Sequence, residues 1–139
     1  MPALRNYHVF ISHSWRYSEQ YDTIKKWLDE AHYFSWSDYS IPISNPVDYQ
    51  SKLELRLKIS FKIASSSCVI ILAGMYADYS DWIDYEIDTA TKYGKPIIAI
   101  IPWGHERIPT KIQEKATELI GWNSSSVINA VRNLAIHCD

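Results

Sequence analysis

The chain has 139 residues, of which 47% are hydrophobic and 22% charged, and a net charge of −2. That length suits one domain with a sizeable core, and the charge supplies no general attraction to nucleic acid or membrane surfaces. Two cysteines, Cys68 and Cys138, make no disulfide framework, and no apolar run resembles a signal peptide or a membrane span, so a cytoplasmic protein is expected.

Tyr7–Ser12 reads as a first strand running into a polar, aromatic loop, His13 to Ser18. A helix is expected from about Glu19, with Ile24, Trp27, Leu28 and Ala31 on one face. Tyr33–Asp38 reads as a second strand. Tyr39–Gln50 contains Pro42, Asn45 and Pro46, which oppose helix and central strand, and reads as a long binding or gating loop. The next helix spans about Ser51–Ala64. Leu53, Leu57, Phe61 and Ala64 are assigned to its inward face, Leu55, Ile59 and Ile63 to a flanking stripe. Lys52, Arg56, Lys58 and Lys62 are read as its solvated side rather than a phosphate patch.

Cys68–Ala73 and Pro96–Ile101 are apolar at nearly every position, as central parallel strands with both faces covered must be. Between them a helix is expected to begin at Ser80 as N-cap, with Asp81 and Asp84 in its first turn. Trp103–Arg107 reads as a loop, Pro109–Lys115 as a short helix and Glu118–Gly121 as a fifth strand. Ser124–His137 closes the chain as a helix with Val127, Ile128, Val131, Leu134 and Ala135 inward. Alternating strands and helices predict a three-layer α/β fold, with ligands bound at the carboxyl ends of the strands.

The helix after Ser80 carries the residue of most interest. At 100° per residue, Ile83, Ile87 and Ala90 share the sheet-facing side, while Asp84 and Asp88 face water. Glu86 lies beside the apolar face, in a stripe with Trp82 and Tyr93. A carboxylate beside buried surface loses hydration, which raises its pKa and suits it to acid–base or charge-stabilising work. An amphipathic helix whose glutamate merely reaches the rim is the plainer alternative.

Familiar motifs are absent. There is no GxGxxG, no P-loop and no GxSxG, and the five histidines match no metal spacing. A receiver domain needs acidic residues where Ser12-His13 and Ala73-Gly74 stand. A lone carboxylate among aromatic surfaces (the chain has six Trp and ten Tyr) suits cleavage of an N-glycosidic bond to a good leaving group. One carboxylate can stabilise the oxocarbenium-like state and hold the ribose hydroxyls.

The residues also carry a resemblance. Val9-Phe10-Ile11-Ser12-His13-Ser14 resembles the first strand and following loop of TIR domains. Ser80-x-Trp82-x-x-x-Glu86 resembles the segment holding the catalytic glutamate of NAD-cleaving TIR enzymes, and Pro96–Ile101 after Gly94-Lys95 fits the same plan. Trp36 to Pro42, followed by Pro46, is similar to the bacterial TIR-like branch that includes the ThsB proteins of Thoeris antiphage defence. The resemblance implies a flavodoxin-like fold with a central parallel sheet of about five strands, and it makes Glu86 the catalytic residue. Trp82 would line the site. Ser12, His13 and Arg16 would sit in the loop that reaches the ribose and phosphates, with Asp38 as a further substrate-binding candidate. Many relatives carry a basic pair after the first strand; here only Arg16 is basic.

What the family implies is cleavage of NAD+ as substrate, with no cofactor, releasing nicotinamide. The product would be an ADP-ribose-derived signal, a cyclic isomer or a conjugate, made in antiphage defence. Implied partners are further copies of the chain on activation and a separate effector responding to the product. A non-catalytic TIR interaction module, assembling through the Tyr39–Gln50 loop, and a nucleoside deoxyribosyltransferase-like enzyme remain alternatives.

Overall fold

The two unbroken apolar runs become the centre of a parallel sheet. A computed structural model describes residues 5–12, 18–40, 52–101 and 108–136. In it β3 (Cys68–Leu72) is buried at every position and β4 (Ile97–Ile101) at all but its last. β1 (Asn6–Ile11) pairs on the other side of β3, with Val9 opposite Cys68, while Val69 lies opposite Ile97. Short strands β2 (Ser35–Asp38) and β5 (Glu118–Gly121) form the edges. All pairs are parallel and the order is β2-β1-β3-β4-β5, the flavodoxin-like arrangement, whose strand order reverses between β1 and β3.

Helices cover both faces. α1 (Ser18–Glu30) and α5 (Ser124–Leu134) lie together on one side, while α2 (Lys52–Ala64), α3 (Tyr76–Lys92) and α4 (Thr110–Lys115) lie side by side on the other. Ile24 and Leu28 of α1, Ile83, Ile87 and Ala90 of α3, and Val127 and Val131 of α5 are buried against the sheet, as the 3.6-residue period requires. Gly94 ends α3 in the left-handed region, at φ +67°. Its N–H donates to the Thr91 carbonyl (3.2 Å) and that of Lys95 to the Ala90 carbonyl (2.8 Å). This Schellman pairing satisfies the last carbonyls and turns the chain into β4.

Four expectations are corrected. Tyr33 is not in β2; it takes φ 52° and turns the chain out of α1 before the strand opens at Ser35. α3 begins at Tyr76, after a 3₁₀ turn over Ala73–Met75, so Ser80 is its fifth residue and not its cap. α5 stops at Leu134, where Ala135 is extended and the Ile136 N–H donates to the Ser67 carbonyl at 3.0 Å. The largest correction concerns α2. Leu55, Ile59 and Ile63 enter the core, while Leu53, Leu57 and Phe61 are 67%, 62% and 72% exposed. The expected loops at 41–50 and 103–107 lie outside the described residues. Among the described residues no helix is long and apolar enough to cross a membrane.

Candidate active site

The topological switch brings the end of β1 next to the helix that follows β3. Ser12, just past β1, is tied to the sheet by its N–H, which donates to the Ile70 carbonyl at 2.8 Å. Glu86 comes from the middle of α3, one helical step from Ile83 and Ile87. It lies inside the core-facing side rather than beside it, and no part of it reaches solvent. Tyr93, expected on the same stripe, is 43% exposed and belongs to the helix end instead.

Five polar residues are buried among the described ones: Ser12, Ser66, Ser67, Glu86 and Thr89. Three are satisfied by backbone close at hand. The Ser66 hydroxyl donates to the Lys62 carbonyl (2.6 Å), the Thr89 hydroxyl to the Tyr85 carbonyl (2.7 Å), and Ser67 Oγ accepts from the His8 N–H (3.1 Å). Among the described residues, Ser12 Oγ and both oxygens of Glu86 have no hydrogen-bond partner. Each such orphan costs about 1–3 kcal/mol, and the two residues are neighbours. Burial pushes the Glu86 carboxyl up to about 8, and the Ser12 hydroxyl beside it pulls the other way. At neutral pH the group is therefore held as the acid, poised to ionise when positive charge arrives.

Trp82 is half-buried one turn before Glu86 on the same side of α3. Asp84 and Asp88 do face outward, where Lys111 of α4 reaches them at 3.6 and 2.9 Å. Asp38 is placed differently from the other candidates. Its register opposite Val9 sets it three residues short of Ser12 along the sheet, roughly 10 Å lower. Both carboxylate oxygens are engaged: the Tyr21 hydroxyl donates to Oδ2, and the Ser40 N–H to Oδ1 at 2.9 Å. Ser40 Oγ in turn accepts from the Ile11 N–H at 2.8 Å. Burial and the Asp38 carboxylate hold the Tyr21 phenol well above its ordinary range. This strut fixes the exit from β2 against β1, and sequence reading missed it because Tyr21 was one of several tyrosines with no periodic role. His13 and Arg16 lie outside the described residues.

Among the described residues no group of three or more His, Cys, Asp or Glu is placed to hold a metal. An open groove of about 430 Å³ runs between α1 and α5, lined by Trp27, His32, Asn129 and Arg132 among others. It lies on the other face of the sheet from α3 and has no part in the Glu86 site. The arrangement at the switch is thus a masked carboxylic acid with one hydroxyl and one indole nearby, suited to charge stabilisation.

Comparison with known proteins agrees with the fold. The family model described as Thoeris protein ThsB, TIR-like domain, matches residues 10–107, which include both Ser12 and Glu86. A crystal structure of a 3-dehydroquinate dehydratase-like protein from Bifidobacterium longum superposes with a TM-score of 0.55 at 11% identity, covering 92% of this chain and 94% of that one. That likeness is one of fold. No curated protein matches the sequence.

Proposed function

Because the chain belongs to the TIR-like family of Thoeris ThsB proteins, we propose that it cleaves NAD+ and that Glu86 is its catalytic residue. The observation that carries this reading is the orphaned, fully buried carboxyl at the strand-order switch. An interaction-only module has no use for such a group, and proteins keep buried unsatisfied acids chiefly where chemistry needs them.

The chemistry follows from charge. The N-glycosidic bond of NAD+ breaks with its electron pair passing to the pyridinium nitrogen, which leaves as neutral nicotinamide and needs no proton donor. The cationic substrate favours the ionised form of Glu86, whose carboxylate then opposes the positive charge growing on the ribose carbon. Trp82 offers a flat face for stacking, and Ser12 a hydroxyl beside the carboxylate. By the family resemblance His13, Arg16 and Asp38 remain substrate-binding candidates, although Asp38 lies lower on the sheet and its carboxylate is already engaged. Because Glu86 is sealed, it must be uncovered before it meets a sugar; association of further copies is the proposed trigger. An adenine nitrogen, a ribose hydroxyl or a small acceptor then captures the carbon to give a diffusible signal for a separate effector.

The test is to incubate the protein with NAD+ over a range of protein concentrations and to separate the nucleotide products by mass spectrometry. Glu86→Gln is expected to lower turnover by about a hundred- to a thousandfold, and Asp88→Ala to leave it nearly unchanged. Full turnover by Glu86→Gln overturns the assignment. Linear ADP-ribose as the only product, with acceptors supplied, overturns the signalling part alone.

A further inference from the structure

Ser12 and Glu86, the two buried polar residues left without a partner among the described ones, reach their place from unlike elements. The Ser12 backbone stands one residue past β1, with its N–H on the Ile70 carbonyl at 2.8 Å, beside a β3 that is buried throughout. Glu86 hangs from α3 on a longer, flexible side chain, between Ile83 and Ile87. Ser12 is therefore the fixed member of the pair and Glu86 the movable one. A serine hydroxyl rotates to suit whatever acceptor is near. Toward a neutral acid that contact is weak, and no hydrogen bond joins the two in the resting structure. Toward a carboxylate it becomes charge-assisted, shorter and about twice as strong. The Ser12 hydroxyl is close enough to favour the ionised form of Glu86.

Among the described residues nothing else attends to that carboxyl. Asp84 and Asp88 of α3 are taken by Lys111 of α4 at the surface, and Arg56 of α2 lies over the Tyr85 ring, 5.4 Å from its centre. β3 and β4 carry no charged side chain. The titratable groups of β1 and β3, His8 and Cys68, lie three or more residues short of Ser12 in the sheet register. None of these acts on Glu86, on which burial and the Ser12 hydroxyl are the two influences. An anion in such apolar surroundings needs a fixed donor, and Ser12 is the one the sheet supplies.

We propose that Ser12 is a positioning residue for Glu86, a sheet-anchored hydroxyl that turns onto the carboxylate when the acid ionises and holds it in one orientation. Ser12 then acts through Glu86, in place of the direct contact with ribose or phosphate that the family resemblance implies. The effect on turnover rests on Glu86 being the catalytic residue, as read above; the contact itself is testable without substrate. Losing the hydroxyl leaves the acid harder to ionise and the carboxylate free to turn, so chemistry suffers while substrate binding does not.

The test follows the carboxyl carbons of labelled glutamates by NMR as the full chain is titrated without NAD+, the Glu86 signal being assigned by its loss in Glu86→Gln. Ser12→Ala, which removes only the hydroxyl, is expected to move the Glu86 midpoint from about 8 upward by about one pH unit. Ser67→Ala, at a buried serine that meets His8 instead, is expected to leave it unmoved. With NAD+ supplied, Ser12→Ala is expected to lower kcat about tenfold at neutral pH and to move the acid limb of its pH profile up by the same step, with KM within about twofold. An unmoved midpoint in Ser12→Ala overturns the proposal, and so does an equal shift in Ser67→Ala, which marks a general loosening of the core. A raised KM with an unmoved midpoint also overturns it and gives the hydroxyl to the substrate. A shifted midpoint in a chain that does not cleave NAD+ upholds the contact and overturns the enzymatic reading alone.

Discussion

α3 buries a carboxyl group where an apolar side chain would pack, and its neighbour α2 exposes three large apolar side chains where polar ones would dissolve. Both depart from the inside–outside rule, in opposite directions and on adjacent helices of one layer. Each departure costs stability or solubility, and neither is repaired among the described residues: Glu86 has no hydrogen-bond partner there and the three α2 side chains stay exposed. What differs is the medium each has withdrawn from. Glu86 is withdrawn from water, whereas the α2 side chains stand in it. On the reading proposed above, the first departure serves chemistry.

The comparison is sharpened most by pH. The folded-state pKa of Glu86 is raised to about 8 from an ordinary carboxylate value of 4.5. Its stability contribution is therefore complete below about pH 4.5 and is lost as pH rises toward 8, because the unfolded chain ionises first. The slope is roughly 1 kcal/mol per pH unit within that window. Glu86→Gln lacks this loss. Thermal melts of the two proteins from pH 4 to 9 are expected to diverge steadily, with the variant the more stable at the alkaline end; parallel curves would show that the carboxyl is not held as the acid.

The two poles of α2 give the next contrast. Ile59→Ala should cost about 2–5 kcal/mol by opening a cavity in the core, and Leu57→Ala, two residues away, should stay within about 0.5 kcal/mol. Urea unfolding of both variants checks this, and similar losses would mean that Leu57 is covered. A loss smaller than that of Ile59→Ala is expected at the β2 exit. Tyr21→Phe removes the hydroxyl that Asp38 accepts and should cost about 1 kcal/mol in the same urea experiment. A change several times larger would make that strut more than an anchor.

The sheet and Glu86 were legible in the sequence for the same reason. β3 and β4 are apolar on both faces, which only central parallel strands are, and a glutamate near an isoleucine face stands out against Asp84 and Asp88. The orientation of α2 was not legible. Leu53, Leu57 and Phe61 have the same helical spacing as Leu55, Ile59 and Ile63, and the cations flank both stripes, so periodicity alone does not say which pole meets the sheet. The start of α3 misled for a related reason: Ser80 followed by Asp81 looks like a cap, but the chain leaves β3 through a 3₁₀ turn and is helical four residues earlier. Asp38 is a candidate through the family resemblance alone, and nothing local in the sequence reveals that Tyr21, 17 residues earlier, holds its carboxylate.

The β1–β3 pairing has a consequence for how the site is born. Contacts such as that of His8 with Ser67 join positions 59 residues apart, so β1 must wait for β3 before it has a neighbour on that side, and long-range pairings of this kind form slowly. Ser12 and Glu86 face each other only across that seam. A nascent chain still emerging from the ribosome therefore holds Ser12 and Glu86 apart until α3 has been synthesised.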